Sequence, residues 1–220
     1  MSLYEIEIKS LLGTKDKADV LSQKIAKKGG KLISKNKQLN HYFVLTDVAK
    51  FEAILLPQVS DKDKFKQILE KGRDFSVRTR EVLGKVILVI KASLGEGTSA
   101  NAVSRMEFEA QINLSLEELD KLLLSAGLEY QAKWSRAREE YKLGETNICI
   151  DRNAGYGYLA EFERVVPEGS PVDGIKQELI HLMDEFEAEE LKQDRLERMF
   201  EYYNKHWQDY YGTDKVFNID

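Results

Sequence analysis

The chain has 220 residues, enough to bury one sizeable core with or without a helical appendage. Charged residues make up 32% of it while the net charge is only −5, so charges of both signs nearly cancel, which argues against nucleic acid as the main partner. No long apolar run occurs, Met1-Ser2-Leu3-Tyr4 leads straight into alternating charges, and Cys149 is the one cysteine, so the expectation is a cytoplasmic protein with no membrane span and no internal disulfide.

In chain order, period-two alternation predicts half-buried strands over 4–8, 75–80, 86–91, 106–112, 136–141, 147–151 and 158–166. Between them lie helical stretches: 15–28, ended by Gly29-Gly30; 61–71, ended by Gly72; and 116–125, opened by Ser115 with Glu118 three residues on, the spacing of a capping box. Residues 93–101, Ser-Leu-Gly-Glu-Gly-Thr-Ser-Ala-Asn, read as a flexible loop, and neither a dinucleotide fingerprint nor a P-loop occurs. After Pro167 and Pro171 the apolar spacing turns helical, through Ile175, Leu179, Leu182, Phe186, Leu191, Leu196, Phe200, Tyr203 and Trp207. The division expected is a strand-rich domain over 1–170 and a helical extension over 171–220 packed on it. The fold class expected is α+β: a closed antiparallel β-tunnel braced by external helices.

The strands sort their charges by sign. Glu5 and Glu7 share a face with Lys9; Arg78 shares one with Arg80, Glu107 with Glu109 and Arg105, Arg136 with Arg138, and Glu161 with Glu163. Same-face neighbours on a strand lie roughly 7 Å apart, where like charges repel. Such pairs make sense if carboxylates gather at one patch and guanidinium groups at another. Gathered carboxylates call for a divalent cation, and hard oxygen ligands select Mg²⁺ or Mn²⁺. His41, His181 and His206 are too scattered in sequence for a zinc site. Gathered Arg and Lys call for a polyanion, so metal and polyanion together point to a triphosphate-bearing small molecule.

These residues also resemble a known family, the CYTH superfamily or triphosphate tunnel metalloenzymes. Its first-strand motif E-x-E-x-K is similar to Glu5-Ile6-Glu7-Ile8-Lys9; R-x-R to Arg78-Thr79-Arg80, with Lys91 closing the next strand; and R-x-E-x-E to Arg105-Met106-Glu107-Phe108-Glu109. K-x-R-x-x-Y resembles the stretch from Arg136 to Tyr141, and the aspartate strand and turn resemble Ile150 to Gly157, followed by Glu161-Phe162-Glu163. The resemblance runs from residue 4 to about residue 166. It implies a closed eight-stranded antiparallel tunnel in which Glu5, Glu7 and Glu163 are the principal ligands of one or two metal ions, with Asp151, Glu161 and Glu109 near a second. It further implies that Lys9, Arg78, Arg80, Lys91, Arg136 and Arg138 grip the phosphates, with Glu5, Glu7 and Lys9 closest to the chemistry. Arg136 stands where the family more often has lysine, and Asn40 in Gln38-Leu39-Asn40-His41-Tyr42-Phe43 stands where it has an acid. A long insertion over 47–72 precedes the basic strand.

Three functions follow: hydrolysis of inorganic tripolyphosphate, a nucleoside triphosphate or thiamine triphosphate; conversion of ATP to cyclic AMP and pyrophosphate, as in class IV adenylyl cyclases; or polyphosphate or nucleotide binding without turnover. The smaller signals have plain readings. Tyr42, Phe43 and Tyr156 read as core or rim, Trp134 as packing at a strand end, Cys149 as a small apolar group, and His41 as a structural histidine with no visible partner. The aromatic tail from Phe200 to Tyr211 is read first as packing on the sheet and second as a homodimer surface.

Overall fold

The computed structural model describes residues 3–93, 105–167 and 169–219. Apart from Ser93, the stretch 93–101 lies outside them. In chain order the elements are β1 (Leu3–Gly13), α1 (Lys15–Lys27), β2 (Lys31–Val44), α2 (Val48–Leu55), α3 (Lys62–Lys71), β3 (Arg73–Val82), β4 (Lys85–Ser93), β5 (Arg105–Ile112), α4 (Leu116–Ser125), β6 (Glu129–Leu143), β7 (Thr146–Asn153), β8 (Gly157–Pro167), α5 (Val172–Glu185) and α6 (Gln193–Tyr210).

The eight strands form one antiparallel sheet in the order β1-β8-β7-β6-β2-β3-β4-β5. The expected strand number and antiparallel pairing are present. The expected closure is not: β1 and β5 end the order, and among the described residues no ladder joins them. Seven of the strands follow the alternation in the sequence. The eighth, β2, shows none in its first half, because Lys31–Lys37 is exposed or half-exposed on both faces and alternation of burial starts only near Gln38. The 47–72 insertion holds two short helices, α2 and α3, whose first turns are capped by Asp47 and Asp61 accepting from Lys50 N and Lys64 N at 2.9 Å each. The predicted Ser115–Glu118 capping box opens α4 as expected.

The chain forms two compact units. The first comprises 3–37 and 135–219. One face of its strands presents Ile6, Ile8, Ile148, Ile150 and Phe162 to Leu21 and Ile25 of α1 and to Leu179 and Met183 of α5, all nearly or fully buried. Full burial of side chains of this size stabilises by about 2 kcal/mol each, before the cost of ordering the chain. The second unit comprises 38–93 and 105–134. Its core joins Phe43, Val77, Leu88, Ile90 and Phe108 of the strands to Phe51, Leu55, Phe65 and Ile68 of the insertion and Leu119 and Leu123 of α4. The insertion therefore supplies core to that unit. Among the described residues no helix is long and apolar enough to cross a membrane.

In the first unit the last residues return to the β7–β8 turn. Gly155 N donates to Lys215 O at 3.1 Å, Phe217 N donates to Gly155 O at 2.8 Å, and the Phe217 ring packs against Tyr156, Tyr202 and Tyr210. Gly155 has φ +78°, and a Cβ there would lie 2.8 Å from ring carbons of both Phe217 and Tyr203. At Gly144, φ is +57° but a Cβ would meet nothing within 4 Å. Gly155→Ala is therefore expected to cost about 2–4 kcal/mol in urea unfolding, against about 1 kcal/mol for Gly144→Ala, since only the first adds a clash to backbone strain.

Candidate functional site

Directly opposed residues of an antiparallel ladder share a face, so the register decides which side chains can meet. In the first unit Glu7 opposes Glu163, Lys9 opposes Glu161, Cys149 opposes Glu161, and Arg138 opposes Asp151. Glu5, Glu7, Lys9, Asp151, Glu161, Glu163, Arg136 and Arg138 thus occupy one face of β1, β8, β7 and β6, and the apolar residues between them face the core. Of the twelve side chains named from the sequence, this unit brings eight together.

Six of them form a continuous run of ion pairs. Asp151, fully buried, accepts from Arg138 Nε at 2.7 Å and Nη2 at 2.6 Å, and from Arg136 Nη1 at 3.2 Å. Arg138 also contacts Glu161, whose other neighbour is Lys9 at 3.8 Å, and Lys9 in turn meets Glu7. A guanidinium as enclosed as Arg138, 15% exposed, would destabilise the unit by several kcal/mol if left unpaired, and the two carboxylates remove that penalty. Burial works to lower the Arg138 pKa, but Glu161 and Asp151 outweigh it and hold the group charged. For Glu161 burial works upward, and the charges of Arg138, Lys9 and Arg136 carry its carboxyl well below the usual range. Burial pushes the Cys149 thiol up to about 12, so it packs on this face as a neutral group.

The second unit carries the other four. Arg78 opposes Tyr42 and Arg80 opposes Asn40, while Lys91 opposes Glu107 and Val89 opposes Glu109. Arg78 Nη1 donates to the Tyr42 hydroxyl at 2.8 Å and its Nη2 lies 3.7 Å from Glu107. Arg80 Nε donates to Asn40 Oδ1 at 3.0 Å and its Nη1 to Glu109 at 3.1 Å; Lys91 lies 3.5 Å from Glu107. Asn40, at the position where an acid was anticipated, gives Arg80 a neutral acceptor.

Of the six carboxylates expected as metal ligands, Glu5, Glu7, Asp151, Glu161 and Glu163 lie in the first unit and Glu109 in the second. Among the described residues no three Asp, Glu, His or Cys side chains are placed to hold a metal ion. Cations take their place: Arg136 and Arg138 on Asp151, Arg138 and Lys9 on Glu161, Lys9 on Glu7, and Arg80 on Glu109. The donor chemistry at Glu7 and Glu163 nevertheless fits a hard divalent ion. Two carboxylates directly opposed across a ladder repel, Glu5 stands one same-face step away, and a divalent charge between them would relieve the repulsion.

His41, read from the sequence as lacking a partner, has one: its Nδ1 lies 2.6 Å from Asp120 Oδ2. Asp120 itself was missed. Its signal was an acid on the apolar stripe of α4, beside Leu116, Leu119 and Leu123.

A model of the CYTH domain matches residues 3–195. The chain belongs to the CYTH family. Members of this family are triphosphatases or cyclases. No curated protein matches the sequence. Among solved structures, this CYTH chain is similar in fold to the PH1012 protein of Pyrococcus horikoshii OT3, at TM-score 0.59 and 20% identity over 84% of this chain and 91% of that one. It is also similar to a proposed adenylate cyclase from Vibrio parahaemolyticus, at TM-score 0.59 and 14% identity over 91% and 99% of the two chains. A proposed adenylyl cyclase from Hippeastrum, described as having a dominant triphosphatase activity, matches at TM-score 0.51 and 14% identity over 84% and 89%.

The depressed Glu161 carboxyl gives the CYTH chain a signed pH dependence. Its ion pairs contribute fully above the ordinary carboxylate range and are lost as pH falls through the lowered folded value. Glu161→Gln should lower stability at pH 7 by about 1–3 kcal/mol, and urea unfolding should find the gap to wild type narrowing as pH is taken below about 4.

Proposed function

We propose that this CYTH protein is a divalent-metal-dependent triphosphatase acting on inorganic tripolyphosphate, a nucleoside triphosphate or thiamine triphosphate. The observation that carries the reading is the pairing of Glu7 with Glu163 across the β1–β8 ladder, on the face that also bears Lys9, Glu161 and Arg138. Carboxylates so placed would hold Mg²⁺ or Mn²⁺, one ion or two, through Glu5, Glu7 and Glu163, and Asp151 and Glu161 hold the adjoining basic residues. A bound divalent ion would neutralise phosphate charge and polarise a phosphoryl oxygen.

The protein's own part is binding and orientation. Asp151 takes the Nε and Nη2 edge of Arg138, which fixes the guanidinium plane and would leave Nη1 to meet a substrate oxygen. Arg136 adds a second donor from the same strand, and Lys9, set between Glu7 and Glu161, is a third. In the second unit, Arg78, Arg80 and Lys91 are proposed as phosphate donors in their own right. In hydrolysis a water oxygen bonds to the terminal phosphorus as the bridging P–O bond breaks. The water's proton leaves to an oxygen of Glu5 or Glu7 that does not hold the ion, and the rest of the substrate departs as diphosphate, a nucleoside diphosphate or thiamine diphosphate.

Phosphate release should be measured with Mg²⁺ or Mn²⁺ over tripolyphosphate, ATP and thiamine triphosphate. Turnover of at least one is expected, and Glu7→Gln or Glu163→Gln should lower kcat/KM by about 10²-fold or more. Cyclic AMP with pyrophosphate from ATP would replace this reading with a cyclase. Tight binding of all three without release would leave a receptor.

A further inference from the structure

Beneath the basic strand of the second unit lies a polar cluster that the triphosphatase reading does not use. Asp120 on α4 is 3% exposed, His41 5% and Thr79 0%. The Asp120 carboxylate accepts from Thr79 Oγ1 at 2.7 Å and from the Tyr130 hydroxyl at 2.7 Å, and it lies 2.6 Å from His41 Nδ1. Lys133 Nζ stands 3.9 Å away, over the Tyr130 ring. A carboxylate on the apolar stripe of a helix is costly in a core unless its lone pairs are met, and here they are. Burial acts to raise its pKa, and the bonds from His41, Thr79 and Tyr130 outweigh burial and keep it ionised.

The placement of the donors is what distinguishes this cluster from an ordinary buried network. His41 and Thr79 are directly opposed across the β2–β3 ladder. The neighbouring opposed pairs on either side of them are Asn40 with Arg80 and Tyr42 with Arg78, which point to the other face of the sheet. Asn40 and Tyr42 are also the residues whose oxygens accept from the two arginines. One carboxylate thus grips both strands at the single ladder position between the arginine anchors. A shift of β2 against β3 would break its bonds and displace Arg78 and Arg80 together.

We propose that Asp120 is a positioning residue for Arg78 and Arg80, holding the β2–β3 register through His41 and Thr79 so that the two guanidinium groups meet phosphate oxygens in a set geometry. This rests on the triphosphatase reading, in which those arginines grip the substrate. Tyr130 bonds to the same carboxylate but lies on β6, outside the β2–β3 ladder, so it separates positioning from simple stability.

The test is calorimetric titration of inorganic tripolyphosphate, without metal, into the full chain and its variants, with thermal unfolding of each. Thr79→Val should weaken binding about tenfold, one hydrogen bond's worth of lost alignment, while Tyr130→Phe should weaken it less than about twofold at a comparable loss of thermal stability. Should Thr79→Val fold poorly, His41 gives the same contrast: His41→Asn, whose amide N–H can replace the Nδ1–H, should keep the affinity that His41→Leu loses. Equal effects of Thr79→Val and Tyr130→Phe, or wild-type affinity in Thr79→Val and His41→Leu, would overturn the assignment. A wild-type protein that binds none of tripolyphosphate, ATP and thiamine triphosphate, with or without Mg²⁺, would instead sink the triphosphatase reading on which it stands.

Discussion

A charged side chain taken out of water must find an opposite charge close by, and in this chain that requirement is met along sheet faces. Strand parity puts Glu5, Glu7 and Lys9 on one side of β1 and Ile6 and Ile8 on the other, so burying the apolar side commits the charged side to a common surface. On that surface the acids and bases follow one another: Glu7 to Lys9, Lys9 to Glu161, Glu161 to Arg138, and Arg138 with Arg136 to Asp151. Asp151 can be fully buried only because two guanidinium groups reach it, and Arg138 can be largely enclosed only because Asp151 and Glu161 flank it.

The same pairings bear on function. A basic residue that is to receive a polyanion must be oriented before the anion arrives, and an arginine clasped along its Nε and Nη2 edge by a buried carboxylate is oriented at no further entropic cost on binding. In the second unit the orienting groups of Arg78 and Arg80 are a phenol and an amide as well as carboxylates. Neutral acceptors fix direction without cancelling charge, so Asn40 leaves Arg80 more of its positive potential than an acid at that position would. The CYTH family supplies the frame for both clusters, and the three solved structures named above, at 14–20% identity, speak for the frame alone.

Much of this was legible in the sequence because alternation is a local property. The charged residues of β1, β3, β5, β6 and β8 could be assigned to faces from spacing, and the capping box of α4 from Ser115 and Glu118. Partners are not local. That Glu109 would meet Arg80, or that Asp151 would be enclosed by Arg136 and Arg138, depends on which strands are neighbours and in what register, and spacing within one strand carries neither. The first half of β2 escaped notice because residues exposed on both faces have no reason to alternate. The Asp120 cluster escaped because three of its members look structural when taken singly, and only the ladder opposing His41 to Thr79 brings them to one carboxylate. Closure of the sheet, expected from the charged strand faces and the family resemblance, needs a ladder between β1 and β5 that spacing within a strand cannot supply.

The central claim is that carboxylates of the β1–β8 ladder hold a divalent ion against a phosphate chain gripped by the neighbouring bases. Anomalous diffraction from crystals grown with Mn²⁺ and tripolyphosphate measures it most directly. A manganese peak within coordination distance of Glu7 and Glu163 carboxylate oxygens is expected, with phosphate density bonded to Arg138. Manganese bound elsewhere, with no anion on that face, would contradict it.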